Sequence, residues 1–152
     1  MTKLACGCPG SQVRTIEKQE TIQHTPTGRV ASELRQWPTQ LHLVPPSAPY
    51  LQNAHLLIAA DCTPFAYAEF HRDFIKGKVL VNACPKLDET SSYVEKLATM
   101  IVQNDIQSVT VTIMEVPCCR GLGMFAQQAI TQSGKDVPLE VVIIGIDGEI
   151  RT

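Results

Sequence analysis

The sequence predicts a single three-layer α/β domain with a mostly parallel five-stranded sheet, Rossmann-like or flavodoxin-like in broad plan. Two observations carry that prediction. From residue 40 onward, short runs of apolar and β-branched residues alternate five times with helix-like stretches. Such alternation implies parallel strands joined by right-handed crossovers. The chain has 152 residues, 44% of them hydrophobic, which suits one domain with its own core.

Residues 1–39 form a Cys-Gly-Cys-Pro-Gly loop and an irregular lead-in, and residues 40–150 the α/β core. Thr25-Pro26-Thr27-Gly28 and Trp37-Pro38 punctuate the lead-in as turns. The core opens with a short strand, QLHLV at 40–44, ended by Pro45-Pro46 and a helical turn near 47–53. LLIAAD at 56–61 is continuously apolar, as expected of a strand buried on both faces. Thr63-Pro64 then supplies an N-cap and a first-turn proline for a helix running to about Ile75, with Gly77 suited to its C-terminal cap. VLVNAC at 79–84 is the third strand.

Ser92 and Glu95 have the spacing of a capping box, and Val94, Leu97, Ala98 and Ile101 make a helical stripe behind them. SVTVTIMEV at 108–116 is rich in β-branched residues and predicts the fourth strand. Leu122, Phe125, Ala126 and Ala129 mark the next helix, stopped at Ser133-Gly134. EVVIIGI at 140–146 is the last strand, turned by Asp147-Gly148.

Charge and composition exclude several classes. A net charge of −2, with aromatics at 5%, gives no basic footprint for nucleic acid. No apolar run reaches the ~18 residues of a membrane span. Lys3-Leu4-Ala5-Cys6 is not preceded by the apolar stretch of ~7–15 residues that a secretory leader needs. A cytoplasmic protein is expected, with its cysteines used as thiolates rather than as disulfides.

The six cysteines carry the functional signal. Cys62, Cys84 and the Cys118-Cys119 pair fall where strands end, and Cys6 and Cys8 lie in the N-terminal loop. In an open parallel sheet ligands bind outside the carboxyl ends of the strands. Three strand-end thiol positions therefore meet at one edge, where the N-terminal loop can add a fourth. Prolines stand within two residues at Cys8-Pro9, Cys62-Thr63-Pro64, Cys84-Pro85 and Pro117-Cys118, stiffening the local backbone.

Helix N-termini after these strands favour an anionic group, and Lys86 and Arg120 add positive charge beside the thiols. These features predict an iron–sulfur cluster, [4Fe–4S], bound by Cys8, Cys62, Cys84 and Cys118 or Cys119. The side chains of Cys118 and Cys119 are expected to diverge, so that either one ligates and the other lines the site, or both bridge in a larger cluster. Cys6 is the expected spare. Lone strand-end cysteines are otherwise common core residues, so the argument rests on their convergence.

Other motifs carry less. Gly121-Leu122-Gly123 partly matches a phosphate-binding pattern, with Ala126 at the third position. His24, His42, His55 and His71 are scattered and read as structural or solvated. Asp61 and Glu115 stand at strand ends and read as backbone caps.

Several stretches together resemble the C-terminal α/β domain of anaerobe iron–sulfur proteins in which a two-cluster ferredoxin-like segment precedes this domain. They are Cys8-Pro9-Gly10-Ser11, residues 32–38 (SELRQWP) with 41–46 (LHLVPP), Ala59-Ala60-Asp61-Cys62, Cys84-Pro85-Lys86-Leu87-Asp88 and Glu115-Val116-Pro117-Cys118-Cys119. The resemblance implies cluster binding and electron transfer. The ferredoxin-type Cys-x-x-Cys-x-x-Cys runs are absent from this sequence, so a separate ferredoxin or reductase is the implied redox partner. Cys-Cys-Arg-Gly is also faintly similar to the Cys-Cys-Gly element of heterodisulfide-reductase-type cluster proteins.

Three alternatives stand beside the electron carrier. One is an enzyme acting on a small sulfur or redox substrate, with Cys119 or Cys6 as a low-pKa nucleophile beside Arg120. The second is a zinc-held structural or interaction module. The third is a cluster-free thiol protein in which Cys118 and Cys119 form a redox-reporting vicinal disulfide.

Overall fold

The structure, a computed structural model, describes residues 12–17 and 28–152. A five-stranded sheet runs in the order β4-β3-β5-β6-β7. Its strands are β3 (His55–Ala60), β4 (Val79–Ala83), β5 (Ser108–Met114), β6 (Leu139–Ile144) and β7 (Ile150–Arg151). The first four are parallel, and β7 pairs antiparallel with β6 through Ile144 and Ile150. A small separate ladder joins β1 (Arg14–Thr15) to β2 (Gln36–Trp37).

The two central strands follow from their sequences. In β3 every residue after His55 is buried, and in β5 every residue after Ser108. Neither strand has a polar face to give to water, so both need cover on each side. α2 (Tyr93–Asn104) and α3 (Arg120–Ser133) pack side by side and supply one layer. Leu97, Ala98, Met100 and Ile101 from α2 meet Leu122, Ala126, Ala129 and Ile130 from α3 in the same core. The connection after β3 supplies the other layer through Phe70, Phe74 and Ile75.

The strand count is as predicted, but its membership is not. Residues 40–44 do not form a strand: Gln40 makes one parallel bridge to Asn82, after which Leu43 and Val44 donate their N–H groups back to the Gln40 carbonyl. The chain therefore turns before a ladder can extend. The fifth strand is β7, only two residues long, held where Arg151 reaches Glu115 at 2.9 Å and Asp147 at 3.0 Å.

The helix expected to run to Ile75 is also broken. α1 spans Thr63–Ala66, Tyr67 is extended, and a single π turn covers His71–Ile75. The N-cap position belongs to Cys62, because the Thr63 hydroxyl is committed elsewhere. It donates to Ala60 O at 2.8 Å and meets the Thr112 hydroxyl at 3.0 Å. Tyr67 swings out to pack edge-on against Phe74, with its hydroxyl donating to Asp73. Ser92 does precede α2, but its side chain makes no capping bond, so the capping box does not form. Gly134 closes α3 in the left-handed conformation, as expected.

Among the described residues no helix is long and apolar enough to cross a membrane.

Candidate cysteine site at the strand ends

The chain leaves β3 for β4 on one side, then crosses back over β3 to enter β5. The connections after β3 and β5 therefore lead away from each other and open the crevice where parallel α/β sheets bind ligands. Cys62 lies two residues after the end of β3, and Cys118 and Cys119 lie in a 3₁₀ turn, Pro117–Cys119, that follows β5 and leads into α3. Cys84 follows β4, the neighbour of β3 on the other side. Three adjacent strands thus deliver thiols to one edge. Cys6 and Cys8 lie outside the described residues.

The loops are drawn together by small residues. Gly121, in the first turn of α3, faces Pro85: a Cβ there would sit 3.7 Å from the Pro85 ring. Gly123 likewise faces Val141. These glycines serve close packing of α3 against the Cys84 loop and β6, a use that the partial phosphate pattern did not anticipate. The Cys84 loop is fixed from within by Asp88. Its carboxylate accepts from the Cys84 N–H at 2.9 Å, from Gln40 at 3.2 Å and from the Tyr93 hydroxyl. Burial alone would raise the Asp88 pKa, but these hydrogen bonds and the nearby His42 hold it below its ordinary value. Burial and the same carboxylate push the Tyr93 phenol well above its usual range.

The four described thiols differ in access. Cys62 and Cys118 are exposed, Cys84 is half-buried, and Cys119 is buried. Burial pushes the Cys119 thiol up, and the neighbouring Cys118 and Cys62 thiols add to the rise, while the backbone of Met114 pulls the other way. Cys119 therefore lacks the depressed pKa expected of a nucleophile. Cys118 is exposed and Cys119 buried, so the 3₁₀ turn gives the two neighbouring thiols different surroundings, one in solvent and the other in the core.

Among the described residues no three of His, Cys, Asp and Glu are gathered tightly enough to hold a single metal ion. The thiols are spread across three strand ends, with neighbouring strands about 4.8 Å apart. A four-thiolate cluster attaches its cysteines to separate irons, and a spread of this kind suits that arrangement.

The remaining candidates fall into structural roles. Asp61 accepts from Asn82 at 2.7 Å, and Glu115 accepts from Arg151 and from the Ile146 N–H. His42 stacks on Tyr93, His55 bonds Ser108, and His71 accepts from the Glu33 N–H. His24 lies outside the described residues. Lys86 and Arg120 are both exposed beside the thiols. A cleft of about 400 Å³ lies between residues 30–32 and 68–72, and no cysteine lines it. Asp88 was missed as a site-building residue, although an Asp four positions after Cys84 in a Pro-containing loop is a turn-forming signal.

Comparison with known proteins agrees with the fold. Residues 48–152 match the family described as Rossmann-like domain. An uncharacterized protein of Archaeoglobus fulgidus is 30% identical over 119 residues, covering 78% of this chain and 84% of that protein. No solved structure matches.

Proposed function

We propose that this chain, which belongs to the Rossmann-like domain family, holds an iron–sulfur cluster of the [4Fe–4S] type and works as a redox and electron-transfer protein. The observation that carries the reading is the delivery of Cys62, Cys84 and Cys118 from three adjacent parallel strands to the edge beside the topological switch. Cys118 is the better ligand of its pair, being exposed, while buried Cys119 lines the seat. Lys86 and Arg120 offset the charge of a cluster held by four thiolates. When bound, the cluster supplies one-electron chemistry. The resemblance to the α/β domain of ferredoxin-fused iron–sulfur proteins points the same way.

Cys8 completes the ligand set in this reading. Gln36 donates to Leu80 O and Gln40 bridges Asn82, so the chain from 36 to 40 runs toward the end of β4 that carries Cys84. β1 is antiparallel to β2, with Arg14 opposite Trp37. Cys8 itself lies outside the described residues.

The test is iron, sulfide and zinc quantitation on protein purified without oxygen, with an EPR spectrum of the reduced form. A brown protein with iron and sulfide in comparable amounts is expected. A colourless protein without sulfide after anaerobic reconstitution overturns the reading, and zinc without sulfide establishes the structural module in its place.

A further inference from the structure

The cleft between residues 30–32 and 68–72 stands apart from the thiol edge and has a chemistry of its own. Its volume of about 400 Å³ falls within the range of small-molecule sites, about 300–1,000 Å³. One wall is the lead-in before β2, and the other runs from the end of α1 into the π turn. The two are joined where the Glu33 N–H donates to Nδ1 of His71 at 3.1 Å. The π turn shapes the second wall. The Lys76 N–H reaches five residues back to the His71 carbonyl at 3.0 Å, and the widened turn buries Phe74 and Ile75 while His71 and Arg72 line the cleft. Single π turns are rare and recur at functional sites.

The lining defines what can sit there. Val30, Ala31 and Ala68 are apolar and exposed, Val30 at 87%, so an occupant covers apolar surface that the fold leaves open. Three groups offer hydrogens. A ring nitrogen that accepts a hydrogen bond carries no proton, so His71 bears its hydrogen on Nε2. Ser32 accepts from the Leu34 N–H through Oγ at 3.2 Å and keeps its own hydroxyl hydrogen. Arg72 spends Nε and Nη2 on Asp73 and Glu69, leaving Nη1. One group accepts. Glu69 holds Arg72 through Oε2, and its Oε1 is uncommitted among the described residues.

Charge narrows the choice. Residues 28–35 and 67–74 set Arg29, Arg35 and Arg72 against Glu33, Glu69 and Asp73, so positive and negative side chains balance. Arg72, the cation of the lining, is already paired with Glu69 at 2.6 Å and Asp73 at 2.7 Å. Neither an anion nor a cation finds an unmatched partner here. An amide suits the lining better: its carbonyl accepts, its N–H donates, and it carries no charge.

We propose that this cleft binds a small uncharged amide with a short apolar chain. Ser32, His71 and Arg72 donate to its carbonyl oxygens, Glu69 accepts from its N–H, and its chain lies against Val30 and the two alanines. The site is independent of the cluster reading.

The test is a backbone-amide chemical-shift titration of the full chain with N-acetyl-leucinamide. Two charged analogues run beside it: N-acetyl-leucine, with a carboxylate, and leucinamide, with an ammonium group. The uncharged amide is expected to bind with a dissociation constant of about a millimolar, as suits its size, and to shift residues 30–34 and 68–73. Each analogue is expected to bind at least about fivefold more weakly, since its charge loses water without gaining a partner. Ala68→Trp fills the cleft without removing a hydrogen bond and should abolish the saturable shifts. Ser32→Ala removes one donor and should weaken binding about two- to tenfold.

Shifts that do not saturate, that fall on other faces, or that a charged analogue reproduces at equal concentration overturn the proposal. So does binding indifferent to Ala68→Trp. Should that variant fail to fold, Ser32→Ala decides: weaker binding upholds the site, and unchanged binding overturns it.

Discussion

Asp88 shows how one carboxylate can hold a thiol-bearing loop in place. It gathers the Cys84 N–H, Gln40 and the Tyr93 hydroxyl, and Tyr93 in turn is fully buried beneath His42. Replacing it by Asn keeps the shape but removes the charge that strengthens these bonds. Asp88→Asn is expected to cost about 1–2 kcal/mol at neutral pH in urea unfolding. The pH dependence has a definite sign. The folded-state pKa is lowered, so the stabilisation is present above the unfolded value of about 4 and is lost as pH falls through the folded value. The gap between variant and parent should therefore close in acid, and a gap that is constant with pH would contradict this role.

The two vicinal thiols make a second residue-scale prediction. In metal-free protein, iodoacetamide near pH 8 should label exposed Cys62 and Cys118 well before buried Cys119, whose thiol is pushed up. Peptide mapping by mass spectrometry checks the order, and early labelling of Cys119 would return it to the role of nucleophile.

Elements owe their place to tight joints as much as to their apolar faces. The β6–β7 turn rests on α1 at Gly148, where φ is +86° and an added Cβ would press on the Ala66 carbonyl. Gly148→Ala is expected to cost about 1–3 kcal/mol. Gly134→Ala also meets a positive φ, but in open space, so it should cost less. Thermal unfolding of the two variants side by side checks the ranking. Gly121 is the corresponding joint between α3 and the Cys84 loop. Ala should be tolerated there, because 3.7 Å to Pro85 is ordinary contact. Leu would wedge the two thiol loops apart, and on the proposed cluster reading iron bound per chain should fall severalfold while the far-UV CD spectrum stays the same.

The elements that sequence reading recovers are those whose pattern is self-sufficient. β3 and β5 are legible because their runs of apolar and β-branched residues have only one comfortable environment, a sheet covered on both faces. α3 is legible because its stripe and its Gly134 stop agree. The misassignments share a cause, which is competition for polar groups, some of it from the next turn and some from partners remote in sequence. Gln40–Val44 looks like a strand until the Gln40 carbonyl is claimed by the following turn. Thr63 looks like a cap until Ala60 and Thr112 claim its hydroxyl. β7 is two residues long and exists through Arg151 reaching back to Glu115, which no local pattern encodes. The convergence of Cys62, Cys84 and Cys118 was readable because it depends only on strand direction. The close approach of Pro85 to Gly121 was not, since it depends on how loops pack.

For the whole molecule, the cysteine edge is attached to a core that is complete without it. The core runs from Leu41 through Ile144, and Cys119 is its sole cysteine among the described residues. A domain of this kind differs from small metal-dependent folds, which unfold when the metal leaves because its binding energy is their folding energy. Here the sheet, α2 and α3 already bury the apolar residues. On the proposed cluster reading, removing the cluster with a chelator and an oxidant should therefore leave the far-UV CD spectrum unchanged and unfolding cooperative, with a lower midpoint. The drop reflects only the lost preference of the cluster for the folded state. The effect should concentrate at the edge, so hydrogen exchange should quicken in the loops after β3, β4 and β5 and stay slow in β3 and β5 themselves. Collapse of protection throughout the sheet would mean instead that the thiol site helps to hold the fold, and the division between a self-sufficient core and an attached thiol edge would fail.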